Sequence, residues 1–139
     1  MNIKAIDYIR ANNVCVLTTL ISDGGPHSAA MFFAFDANEK EFYFLADLND
    51  LKCEALSEQT ETFSSIVIGQ DSEEWRTLQL RGSIVMVPVA EEDYLIKKHF
   101  VEMPQLKNFI EHEDRVVLKF IPAWWKFTDS GDGSITVSD

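Results

Sequence analysis

The 139-residue chain carries 23 acidic and 12 basic residues, a formal net charge of −11, with 46% hydrophobic residues. That length and apolar content fit one domain with a real core, residues 1–139 with a loosely ordered tail over 130–139, while the negative field opposes phosphate backbones and anionic membranes, so no nucleic-acid or membrane partner is expected. No apolar run reaches the roughly 20 residues of a membrane span, residues 1–4 do not lead into a secretory segment, and Cys15 and Cys53 lack a CxxC or zinc spacing, so the expectation is a cytoplasmic chain with reduced thiols.

In chain order, Ile3, Ile6 and Ile9 with Tyr8 fall near one side of a 3.6-residue period, which predicts a short amphipathic helix ended by Asn12 and Asn13. Residues 14–21 are β-branched and apolar and predict a strand, followed by a turn at Asp23, Gly24 and Gly25. Residues 28–35 and 41–45 read as two strands around a polar hairpin loop. The first of these runs from small Ser28, Ala29 and Ala30 to bulky Met31, Phe32, Phe33 and Phe35. Small side chains let a flat ligand approach the backbone, and the aromatics behind them anchor the strand; a buried hairpin without a ligand has the same pattern.

Leu51, Ala55 and Leu56 predict a helix over about residues 51–59, behind Asp50 as cap. Lys52 would then oppose the helix dipole in the first turn, a conflict that a bound anion relieves; the plain alternative is a solvated surface lysine. Residues 62–68 read as a strand, and residues 75–89 as a long one. Within it Leu78 and Leu80 alternate with Thr77, Gln79 and Arg81, Gly82 marks a bulge or barrel corner, and Pro88 marks an exit. Two helices follow over residues 91–100 and 104–113, then strands over 116–121 and 124–127, and a tail that adds an edge strand or frays. About seven strands with helices after the fifth predict a small, mostly antiparallel β-barrel.

His27, His99 and His112 lack metal-ligand spacing, so no metal site is expected, and no GxSxG, GxGxxG or phosphate loop occurs. The catalytic residues stay unknown. An enzyme built this way would borrow its reactive group from a cofactor.

Several pieces in this order resemble the pyridoxamine 5′-phosphate oxidase-like, FMN-binding split-barrel superfamily, and its small bacterial branch in particular. They are residues 16–20, 23–29 and 42–45, Lys52 with Ala55 and Leu56, Trp75 leading to Leu80, Arg81, Gly82 and Ser83, and residues 125–129. The resemblance covers about residues 3–127. It implies a six- or seven-stranded antiparallel split barrel, mostly β with helices, a homodimer, and FMN in clefts at the dimer interface; FAD or haem are the lesser cofactor choices. By the same resemblance the flavin ring lies along Ser28, Ala29, Ala30 and Met31, with Leu45, Ala46 and Asp47 bordering the cleft. Lys52 would lie on the phosphate side, and Trp75 and Gln79 would come from the second subunit.

Better-characterised oxidases of this superfamily carry an arginine where this chain has Ser28, a hydroxyl residue at Ala46 and a second cation at Leu51. Losing charge-assisted bonds of about 1.5–3 kcal/mol each weakens the grip on a phosphate and argues against pyridoxamine phosphate oxidation itself. The function expected is therefore an FMN-binding flavoprotein, a flavin-dependent oxidoreductase acting on a small substrate. The alternative is a non-catalytic or stress-related split barrel whose cleft holds haem, with His27 as the first axial candidate, another ligand, or none. Strand alternation sends Phe32 one way and Phe33 and Phe35 the other, which predicts a symmetric dimer using one of those faces.

Overall fold

The structure, a computed structural model, describes residues 1–57, 60–69, 76–129 and 134–137. Helix α1, Ile3–Arg10, starts where the Asn2 side chain accepts the Ala5 N–H at 2.9 Å. Its buried residues are Ala5 and Ile9, with Tyr8 packed beside them, whereas Ile3 is 69% exposed. The inner stripe thus runs through Ala5 rather than Ile3.

Among the described residues eight antiparallel strands follow: β1 Val14–Leu20, β2 Pro26–Phe32, β3 Ala34–Asp36, β4 Glu41–Asp47, β5 Thr62–Ile68, β6 Arg76–Met86, β7 Arg115–Asp129 and β8 Ser134–Val137. Their order is β2-β1-β5-β6-β7-β4-β3, with β8 added to β7. β2 and β3 stand at opposite ends of this order, yet only Phe33 separates them in sequence. The sheet has to curl until its ends meet, and the junction is the split of the barrel.

The expected continuous strand over 28–35 is therefore two strands. Phe33 donates its N–H to Asn13 O (3.0 Å) and turns its ring into the core, 4% exposed, before the chain changes edge. Phe42 lies at the centre of this core, its ring against Phe33, Phe35 and Phe120. The expected strands over 116–121 and 124–127 are one strand, β7, bent at Pro122. There Pro122 faces Gly82 at a register shift between Arg81 and Gly82, so the missing N–H falls at a bulge.

β4 is buried on both faces. Phe42, Phe44 and Ala46 point into the barrel, while Tyr43 and Leu45 lie under helix α2, Val89–His99, and the short helix α3, Lys107–Ile110. Instead of the long strand over 75–89, β6 ends at Met86 and Pro88 caps α2. The second predicted helix shortens to a 3-10 turn, Pro104–Leu106, and α3. No helix among the described residues is long and apolar enough to cross a membrane.

One buried polar cluster ties α2 to the β3–β4 loop. Asp36 Oδ1 accepts the N–H groups of Asn38 and Glu39, and its Oδ2 lies 3.1 Å from Lys98 Nζ and 3.8 Å from His99 Nε2. The His99 ring stacks on Tyr43 at 4.7 Å. Burial, then the charge of Lys98, lowers the His99 pKa below its ordinary 6.5, against the opposing pull of Asp36. A base with a depressed folded pKa leaves the unfolded chain binding more protons. Stability is thus full above about pH 6.5 and falls as pH drops through that value. Denaturant unfolding should show this loss between pH 7 and 5 in the wild type and a flatter profile in His99→Phe, which keeps the stack; equal slopes would refute it.

Candidate functional site

Strand alternation divides the residues of β1 cleanly. Cys15, Leu17 and Thr19 are buried, and Val16, Thr18 and Leu20 face outward. The register carries this outward face across the sheet: Ser28 and Ala30 on β2, Phe63, Ser65 and Val67 on β5, Gln79 and Arg81 on β6, Trp124 on β7. A groove of about 480 Å³ crosses it, floored by Thr18, Thr19, Ser64 and Ser65 and walled by Phe63, Arg81 and Trp124. The Arg81 guanidinium lies 4.8 Å from the Trp124 ring centre. Phe63 is 81% exposed.

Polar groups line this face closely. Thr18 Oγ1 and Ser28 Oγ share a hydrogen bond of 2.7 Å, and Ser64 Oγ donates to Thr18 O at 2.7 Å. Thr19, on the inward side of β1, has its hydroxyl buried without a partner among the described residues, a state that costs about 1–3 kcal/mol. Its volume, flat floor of small side chains and aromatic walls suit a fused planar ring system.

The residues expected to form the site divide between this face and elsewhere. Ser28 and Ala30 lie on it; Ala29 points to the other side of β2, and Met31 packs against the barrel core. Leu45 and Ala46 are 4% and 1% exposed, one under the helices and one in the barrel, so neither side chain reaches the groove. Gln79 shares the outward face but stands three strands from Ser28, about 14 Å at a spacing of about 4.8 Å per strand. Trp75 lies outside the described residues.

Lys52 differs most from its expected setting. The helix predicted over 51–59 is not formed; its described part is two 3-10 turns, Leu51–Cys53 and Ala55–Ser57. Asp50 makes no cap hydrogen bond; its carboxylate instead takes the Lys52 ammonium at 2.7 Å and the Asp47 N–H at 3.3 Å. With no helix dipole for Lys52 to oppose, that ground for an anion at this position is gone. Burial works to raise the Asp50 pKa, but the bond and charge of Lys52, the Asp47 N–H and the charge of His27 outweigh it and hold the carboxyl below its usual range. Asp47 accepts from the backbone N–H and side-chain amide of Asn49, and its Oδ2 lies 3.7 Å from His112 Nε2.

Both thiols are free and buried. Burial pushes Cys15 up to about 12 and Cys53 up to about 11, the latter against the lowering charge of Lys52. Sequence reasoning put Arg81 on a polar strand face but not in a site. Phe63, Trp124 and Ser65 carried no signal at all, because their proximity depends on β1 pairing with β5.

This curled antiparallel sheet with a groove across its outer face is a split barrel, and solved structures of that kind match it. A protein from Clostridium acetobutylicum related to general stress protein 26 and described as pyridoxine phosphate oxidase family is 14% identical, with a TM-score of 0.74 over 99% of this chain and 92% of its own. A heme-binding protein from Mycobacterium smegmatis is 16% identical, with a TM-score of 0.73 over 94% of this chain and 54% of its own. The heme storage protein HutZ from Vibrio cholerae is 12% identical, with a TM-score of 0.62 over 86% of this chain and 87% of its own. No protein-family model and no curated protein matches the sequence. The fold is that of the pyridoxamine 5′-phosphate oxidase-like split barrels, as the sequence resemblance implied.

Proposed function

We propose that the chain is a homodimeric flavin-binding split barrel, with FMN as the cofactor that the resemblance implies, and that it acts as an oxidoreductase on a small substrate. The observation that carries this reading is the outward groove, lined by small residues between Phe63 and Trp124, in a molecule that also exposes Val67 and Ile121. Apolar surface of that kind on a small domain marks an interaction face, and a second copy covering it would close the groove over a planar ring. Ser28, Ala30 and Thr18 would lie along the ring, and Gln79 and Arg81 of the second copy would approach it from across the interface. A flavin held there would supply two-electron redox chemistry between a reduced nicotinamide or similar donor and a small acceptor.

The barrel encloses Phe33 and packs Phe35 against its core, so the dimer face proposed is the side to which Phe32 and Phe63 belong. Purified protein mixed with FMN should retain visible flavin absorption after desalting and scatter light as a dimer at tens of micromolar. Phe63→Glu should give a folded monomer with flavin affinity reduced at least tenfold. Failure to take up either FMN or FAD at micromolar concentration would defeat the reading.

Haem is the second reading, favoured by the two haem-related structural neighbours. It uses different residues, because His27 lies on the opposite side of β2 from Ser28 and Ala30. In the same titration, haem would give a Soret band that His27→Ala abolishes and Phe63→Glu leaves in place.

A further inference from the structure

Thr18 of β1 stands opposite Ser65 of β5, Ser65 opposite Arg81 of β6, and Arg81 opposite Trp124 of β7. All four line the outer groove or its immediate continuation, so they form one row across the sheet. At about 4.8 Å per strand, Thr18 and Arg81 are about 10 Å apart along that row. It begins with two short hydroxyl side chains and ends with a guanidinium and an indole. Phe63 lies on the same face, two residues before Ser65.

Arg81 is exposed, and its guanidinium lies 4.8 Å from the centre of the Trp124 ring. Among the described residues it has no carboxylate partner and no hydrogen-bond acceptor. Arg76 and Arg115, by contrast, each face a carboxylate. No acidic residue lines the groove, although the chain holds 23. Glu61 lines a smaller adjoining groove with Phe63 and Ser83. The long-range field of a protein with net charge −11 repels an anion, so an anion is held only where a local cation stands clear of carboxylates. A guanidinium in contact with an indole keeps its planar N–H fork for an acceptor of matching shape, such as a carboxylate.

We infer that the groove takes a fused-ring aromatic carboxylate, its ring over Thr18 and Ser65 and its carboxylate on Arg81. One strand spacing separates Ser65 from Arg81, which suits an anionic group attached directly to the ring rather than carried on a long chain. The ring, with Phe63 and Trp124, would keep water from the ion pair and so strengthen it. The inference concerns the same groove as the flavin reading and does not depend on a flavin binding there.

The test titrates wild type, Arg81→Gln and Arg81→Lys with naphthoate and with naphthamide, its uncharged analogue of the same shape, following ligand fluorescence at neutral pH. The wild type should bind the acid at least tenfold more tightly than the amide. Arg81→Gln should bring the two within about threefold by weakening the acid alone, and Arg81→Lys should keep a preference for the acid of at least threefold. Binding of neither compound by the wild type at millimolar concentration, no preference for the acid, or a preference that survives in Arg81→Gln overturns the inference. Loss of a dimer in Arg81→Gln, with no acid preference in the wild type, also overturns it and gives Arg81 a carboxylate of a second copy as its partner. FMN titrated alongside separates the two readings: its failure to bind defeats the flavin reading and leaves the comparison of acid with amide to decide this one.

Discussion

Replacing Phe42 by alanine should lower stability by about 4 kcal/mol, the upper range for a large buried aromatic. The ring is fully buried, and its centre lies 4.8 Å from Phe35, 5.5 Å from Phe33 and 5.9 Å from Phe120. Phe35 and Phe120 are its ladder partners on the adjacent strands β3 and β7, and Phe33 comes from the β2–β3 junction, so Phe42 ties both neighbouring strands to the point where the chain changes edge. A cavity at that junction cannot collapse by moving one element, because each neighbour is also held in a strand ladder or its junction. The expected loss corresponds to a fall in Tm of roughly 15 °C for a chain of this size. Phe42→Leu, which keeps most of the volume, should cost about 1.5 kcal/mol or less. Denaturant unfolding of the two variants decides it; a loss below about 1.5 kcal/mol for the alanine would show that the barrel is not sealed through this ring.

Gly82→Ala should be nearly as damaging, for a different reason. A Cβ built on Gly82 would lie 2.0 Å from Ile121 O and 3.0 Å from Pro122 Cα, both backbone atoms of the neighbouring strand. One methyl therefore has to push β6 and β7 apart at the bulge, an overpacking cost of about 3 kcal/mol. Gly24 provides the contrast. It has φ of +88° with nothing within 4 Å of an added Cβ, so Gly24→Ala meets only the left-handed strain of about 1–2 kcal/mol. Because Arg81 and Trp124 face each other across the same bulge, Gly82→Ala should also weaken flavin binding, whereas Gly24→Ala should not. Equal stability losses would mean that the close approach of the two strands carries no weight.

Gly82 also shows how much of this fold is legible along the chain. A glycine interrupting an alternating strand announced a bulge, and the register shift is found there. The first helix, the first strand and the hairpin loop were equally readable, since capping residues, β-branched runs and turn residues act over a few positions. The segment after β4 was not. Asp50 looks like a helix cap by its spacing, but its carboxylate is taken by Lys52 and by Asp47 N–H, and two 3-10 turns form in place of the helix. Phe33 reads as one more strand residue, until the order of the sheet requires the chain to change edge at that point.

By itself, then, the sequence determined which residues share a strand face, because side chains alternate with period two whatever the strand packs against. It could not determine which face would be filled by the core, nor which strands would be neighbours. Thr18, Ser65, Arg81 and Trp124 are far apart in sequence and meet in one groove only because β1 pairs with β5, β5 with β6 and β6 with β7. Lys52 pairs with a carboxylate two residues away, Asp50, a contact available to sequence in principle. What decided it was tertiary: packing of that turn against β1 and β2 removed the helix, left the ammonium short of water, and made the nearest carboxylate its partner.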